Sequence, residues 1–285
     1  MESDSGFVSA EDAVTRLQQH DSVRARAERS GPSRGYAWLL ILSALVLSVY
    51  VGVFLFAFYG FDPYTGTGGY SYTNLLVLPI LLFSALVNGA RERFSIRKKP
   101  SIAQWIAYLV TFAAFMILAG LSVAGVSYPR WLNLLVAGAL FAAIAVAPIR
   151  QLVSAHATTR SEPWVNERLS VPVRWTTASI GVVVGVLAAA SASTWFPIAS
   201  SAIMLGSLIV ALVGWRARWG LPRTGYEWEP VHWVVFGIAI TLTFTLTALL
   251  TASTSTPIWL PLAVGASAFA LMLTASLLPL RFRQG

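Results

Sequence analysis

The sequence predicts an all-α integral membrane protein: eight transmembrane helices arranged as two parallel four-helix repeats, with both termini cytoplasmic. Three observations carry this expectation. The composition is 56% hydrophobic and 11% charged, against about 25% charged in an ordinary soluble domain, too little charge to cover a water-soluble body of 285 residues. The uncharged runs have lengths that suit helices crossing about 30 Å of hydrocarbon, which takes about 20 residues. Nineteen of the 20 Lys and Arg residues fall in segments that such helices would place on one side.

The stretches free of Asp, Glu, Lys and Arg run 35–61, 63–90, 100–129, 131–149, 175–215 and 230–280. The first four hold one span each. The last two are long enough for two, and each has turn chemistry near its middle, Ser193-Thr194-Trp195-Phe196-Pro197 and Ser253-Thr254-Ser255-Thr256-Pro257. The predicted spans are 36–59, 74–90, 102–125, 131–149, 176–195, 197–214, 231–252 and 258–279. Runs such as Leu75-Leu76-Val77-Leu78 lack the alternation of a barrel strand.

Ahead of the first span, the tail 1–33 is expected to carry one short helix. Ser9 with Asp12 has capping-box spacing, and Ala10, Ala13, Val14 and Leu17 share a face. That helix either lies solvated or docks on a partner. No cleavable signal peptide is expected, because the first 33 residues are polar and the first apolar run is already of span length.

Basic residues set the orientation. They cluster in the tail, after span two (Arg91, Arg93, Arg97, Lys98, Lys99), after span four, after span six (Arg216, Arg218, Arg223) and at the C-terminus; only Arg130 is opposite. Cytoplasmic segments retain Lys and Arg, so both termini are expected inside. The charge of +8 is thereby explained by topology and by attraction to membrane lipids, without nucleic acid.

The two halves resemble each other. Gly89-Ala90-Arg91-Glu92-Arg93-Phe94-Ser95-Ile96 aligns with Gly214-Trp215-Arg216-Ala217-Arg218-Trp219-Gly220-Leu221 at an offset of 125. After a three-residue insertion the offset is 128, and Trp105, Pro129, Trp131 and Phe141 fall on Trp233, Pro257, Trp259 and Phe269. Four spans per unit leave both copies pointing the same way. The expected organisation is a tail at 1–33, a first repeat at 34–150, a linker at 151–175 and a second repeat at 176–285. The basic tail end, the Arg-x-Arg-aromatic loop and the Pro-x-Trp that opens every fourth span resemble small multi-pass membrane proteins of high-GC Gram-positive bacteria, many of them uncharacterised. The resemblance covers 34–150 and 174–283. It implies a bacterial plasma-membrane location and no known chemistry.

Residues that could carry chemistry are sparse. None of the 12 acids falls inside a predicted span, where a charge would mark a relay or ion site. His20, His156 and His232 share no ligand spacing, and Cys is absent, so no cofactor or metal is expected. His232 is read as a headgroup-level residue, and the Trp residues near both boundaries, Trp233 among them, as interfacial anchors. The outer loop with Gly66-Thr67-Gly68-Gly69 lacks the strand and lysine of a phosphate loop. Gly181, Gly185 and Ala189 form a small-residue helix-packing face, either inside the bundle or at a dimer seam. Arg91, Arg93, Arg216 and Arg218 are candidate contacts to phosphate headgroups. The function expected is a non-catalytic subunit or scaffold of a membrane complex. The alternative is a permease or flippase-like carrier for a lipid-like solute; a phospholipid-directed enzyme ranks last, since no acid–base pair accompanies the arginines.

Overall fold

The computed structural model describes residues 34–59, 72–94, 101–153, 168–252 and 256–278. The tail helix, the glycine-rich outer loop, His20, His156 and most of the 151–175 linker lie outside them. Eight long apolar helices are present among the described residues: α1 (Arg34–Phe58), α2 (Thr73–Arg93), α3 (Ile102–Val123), α4 (Trp131–Val153), α5 (Val171–Ala190), α6 (Phe196–Val213), α8 (Pro230–Ala252) and α9 (Trp259–Leu277). A short helix, α7 (Leu221–Glu227), precedes α8. The chain is a multi-pass, all-helical membrane protein.

Local sequence accounts for the helix ends. Ser101 and Gln104 cap α3 reciprocally, at 3.2 and 2.9 Å. Proline sits at the start of α5, α6 and α7, where no donor is lost. Gly125 closes α3 with φ +68°, a left-handed turn that suits glycine, while the Val126 N–H returns to the Leu121 carbonyl at 3.0 Å. In α8 the hydroxyls of Thr241, Thr243, Thr245 and Thr247 each donate to a carbonyl three or four residues earlier, so none faces lipid unsatisfied.

The largest departures from the expected boundaries are the two ends of α5, each displaced by five residues. Helix α5 begins five residues early, at Val171, because Ser170-Val171-Pro172 makes a better helix start than the charge-free run alone indicated. It ends at Ala190, where the Ser191 hydroxyl turns back to the Ala188 carbonyl at 2.6 Å. The segment between α4 and α5 runs 154–170. The short helix α7 was not anticipated.

Contacts fix which helix ends lie together. Tyr36 of α1 meets Phe94 beyond α2, with ring centroids 5.3 Å apart. Arg174 of α5 donates to the Ser276 carbonyl of α9 at 3.2 Å, and the Ser170 N–H donates to Glu227 of α7 at 3.0 Å. These ends, rich in arginine, form the basic end. At the opposite end Tyr59 donates to the Tyr128 carbonyl at 2.8 Å and Asn74 donates to the Ser200 hydroxyl at 2.9 Å. Arg130 lies there alone over the Tyr59 ring at 4.8 Å.

The most extensive helix packing is between α1 and α4 and between α5 and α9. On α5, Gly181, Gly185 and Ala189 face α9: a Cβ on Gly181 would lie 2.6 Å from the Met272 Cβ, and one on Gly185 2.7 Å from the Gly265 carbonyl oxygen. The small face is consumed inside the bundle. Between the halves, α8 packs on α1 and α2 through Phe83, Trp233, Phe236, Ile240 and Phe244, all buried in one cluster.

Candidate functional site

At the basic end the segment 214–230 is welded to α2 and α5. Helices α2 and α7 touch backbone to backbone: a Cβ on Gly89 would overlap the Pro222 carbonyl, and one on Gly225 the Leu86 carbonyl. Only glycine permits this approach. It brings the Arg93 guanidinium to the C-terminal end of α7. There it donates to the carbonyls of Tyr226 at 3.0 Å and Trp228 at 3.3 Å, and to Glu229 Oε1 at 3.0 Å. The ion pair is largely sealed, with side-chain exposures of 10% and 6%. A cation at a helix C-terminus also meets the free carbonyls and the negative end of the helix dipole.

Trp228 continues the latch. Its indole N–H donates to the Thr177 hydroxyl at 3.0 Å, and its ring stands edge-on to Trp233 and Phe236, with centroids 5.2 and 5.3 Å apart. His232 Nδ1 accepts from the Glu229 N–H at 3.1 Å. Two expectations are corrected here. His232 is fully buried instead of lying among headgroups, and Trp233 is 2% exposed instead of anchoring at the interface. Trp38, Trp105, Trp175, Trp131, Trp195 and Trp259 do stand on the outside.

The four candidate arginines are not equivalent. Arg93 is spent on the latch, which leaves its guanidinium no face for a headgroup. Arg91 is exposed in the last turn of α2. Arg216 and Arg218 line a polar cleft of about 1000 Å³ with Arg223, Glu92 and Glu227. Arg223 is committed to Glu227 at 2.9 Å, and the other oxygen of Glu227 accepts the Ser170 N–H. Neither Arg216 nor Arg218 has an ion pair among the described residues. This cleft is suited to holding an anion.

Beside it runs an apolar groove of about 630 Å³. Its walls are Trp175, Ser179 and Val183 of α5 and Ile203, Gly206 and Val210 of α6, and Leu82 of α2 forms its floor. A smaller groove, of about 220 Å³, lies between α2 and α6.

Sequence reasoning missed Glu229, Trp228 and the short helix. The available signal was Pro222 just after Gly220, the proline position of a helix start. Among the described residues no group of three His, Asp or Glu could hold a metal ion. No protein-family model, curated protein sequence or solved structure matches this chain.

Proposed function

We propose that this chain is a non-catalytic membrane scaffold, a subunit of a bacterial plasma-membrane complex, built from two parallel four-helix repeats with both termini in the cytosol. The observation that carries the scaffold reading is the latched join where α8 packs on α1 and α2. Phe83 meets Trp233 at 6.1 Å and Phe236 at 6.4 Å, and Arg93 with Glu229 clamps the same seam at the basic end. A body locked this way presents fixed outer surfaces. The α8 packing and the Arg93–Glu229 clamp lie at the place where a carrier of two repeats would rock.

Packing supports the duplication. A shift of 137 residues carries Ala44, Ser48 and Gly52 of α1 onto Gly181, Gly185 and Ala189 of α5. Each stripe faces the fourth span of its own half. A Cβ on Gly52 would lie 3.5 Å from the Ala137 Cβ, and one on Gly265 lies 3.0 Å from the Ala189 Cβ. Residues 137 and 265 are themselves paired by the offset of 128 read from the Trp and Pro matches. The positive-inside rule supports cytosolic termini.

The groove between α5 and α6 favours a second reading, a carrier for a lipid-like solute. Its α5 wall extends from Pro172 to Val183, about 17 Å at 1.5 Å per residue. That is close to one leaflet of a hydrocarbon core about 30 Å thick, so the groove offers a seat and not a path across.

The test is isolation from native membranes in mild detergent with tags on both ends. The expected outcome is a stable co-purifying protein, with both tags protease-sensitive only in inverted vesicles. Repeated isolation as a lone species, with tags accessible on opposite faces, refutes the proposal.

A further inference from the structure

We infer that the groove between α5 and α6 is the seat of one anionic phospholipid, an acyl chain lying in the groove and the phosphate resting on Arg216 and Arg218. The inference deepens the headgroup role assigned to those arginines and uses the two-repeat reading above.

Two asymmetries between the halves converge on this one place. The first concerns the apolar face. On α1, Leu39, Leu42 and Val46 lie at one helical face and are covered by α8; a Cβ on Gly237 would come 3.5 Å from Leu42 Cδ1. The shift of 137 places Thr176, Ser179 and Val183 at the same face of α5. Among the described residues no helix closes over them: the Thr176 hydroxyl donates to the Trp219 carbonyl at 2.7 Å, and all three line the open groove. The covering that α8 gives the first half is missing from the second.

The second asymmetry concerns charge. Arg91-x-Arg93 and Arg216-x-Arg218 are counterparts at the offset of 125. Arg93 is neutralised by Glu229 at 3.0 Å. Arg218, its counterpart, has no carboxylate partner among the described residues, and neither has Arg216. The unspent arginines and the uncovered face adjoin, because Pro172 lines both the cleft and the groove. An apolar slot one leaflet deep, opening beside a cleft where, among the described residues, the unpaired Arg216 and Arg218 outnumber the one unpaired carboxylate, Glu92, is complementary to an anionic phospholipid in shape and in charge. Guanidinium forks bind phosphate through paired charge-assisted hydrogen bonds. The volume falls within the range of about 300–1,000 Å³ usual for small-molecule sites.

The walls supply separate handles on tail and headgroup. A Cβ on Gly206 meets nothing within 4 Å, so Gly206→Leu fills the groove without straining the helices. Arg216→Gln with Arg218→Gln removes the charge and leaves the groove open. The full-length protein is purified from membranes, exchanged into nanodiscs of phosphatidylglycerol and phosphatidylcholine in equal amounts, and released for native mass spectrometry. The wild type is expected to keep one phospholipid, enriched at least about fivefold in phosphatidylglycerol. The double arginine variant is expected to keep a lipid but lose that preference. Gly206→Leu is expected to lose the retained lipid of either kind, with its thermal unfolding unchanged in lipid-free detergent. Equal retention by all three proteins overturns the inference, as does a wild type that retains none. Emergence of a dimer that Gly206→Leu dissociates also overturns it, by showing a second copy in the groove. None of these results bears on whether a partner co-purifies or on which side the tags lie, so failure here leaves the scaffold reading to its own test.

Discussion

Removing Arg93 should unlatch the join between α2, α7 and α8, and the size of the effect follows from burial. Arg93 and Glu229 are 10% and 6% exposed and 3.0 Å apart. Breaking a sealed pair by deleting one member strands the other charge and costs about 3–5 kcal/mol. Arg93→Ala also strips the carbonyls of Tyr226 and Trp228, at the C-terminal end of α7, of their shared donor, which places the loss toward the upper end of that range. Converted at the few degrees per kcal/mol of a domain this large, the midpoint should fall by about 10 °C. Glu229→Ala leaves Arg93 its two carbonyls and should cost less than Arg93→Ala. Replacing both, Arg93→Met with Glu229→Leu, should recover much of the stability, because an apolar pair of similar volume avoids the desolvation cost. The assay is fluorescence-detected size exclusion after heating in detergent, run as a double-variant cycle. A shift below about 2 °C for Arg93→Ala, or strictly additive losses, would refute the view that this is a buried and coupled pair.

Three further outcomes follow from the packing. Gly181→Leu should abolish monodisperse protein, since its Cβ already falls 2.6 Å from the Met272 Cβ and overpacking costs about 1–3 kcal/mol even for smaller insertions; Gly120→Leu, facing open space, should be neutral in the same gel-filtration assay. Gly225→Ala should destabilise at least as much as Arg93→Ala, because the added methyl overlaps the Leu86 backbone and must lift α7 from α2; a neutral midpoint would show that the two helices do not touch. Trp228→Phe keeps the aromatic stacking but deletes the 3.0 Å bond to Thr177. Thr177 still donates to the Val173 carbonyl, so the cost should be about 1 kcal/mol, read as a small drop in midpoint.

Part of the candidate site was legible before any coordinates. The paired Arg-x-Arg motifs and the small-residue face on α5 are visible as spacings, and both lie at structurally consequential places. Their fates were not visible. The motifs at Arg93 and Arg218 read alike, yet one is neutralised and the other is not, because Glu229 is delivered to Arg93 by α7. The Gly181 face could equally have met a second copy; Met272 and Gly265 of the same chain occupy it. Trp233 and Trp105 read as twin interfacial anchors, and only one is buried, since α8 lies between the halves while α3 lies outside.

The number of apolar spans and the sorting of basic residues to one set of segments were determined by the sequence alone. Each is a property of single residues summed along the chain: transfer into hydrocarbon needs length and apolarity, whatever the neighbours. The latch, the burial of His232 and Glu229, the sealed join and the open groove were decided only by the tertiary structure. They depend on which faces meet, and in lipid that choice rests on close shape matching, because apolar side chains gain little by leaving one apolar medium for another. A glycine at 89 or 225 gives its meaning only when a second backbone is seen lying against it.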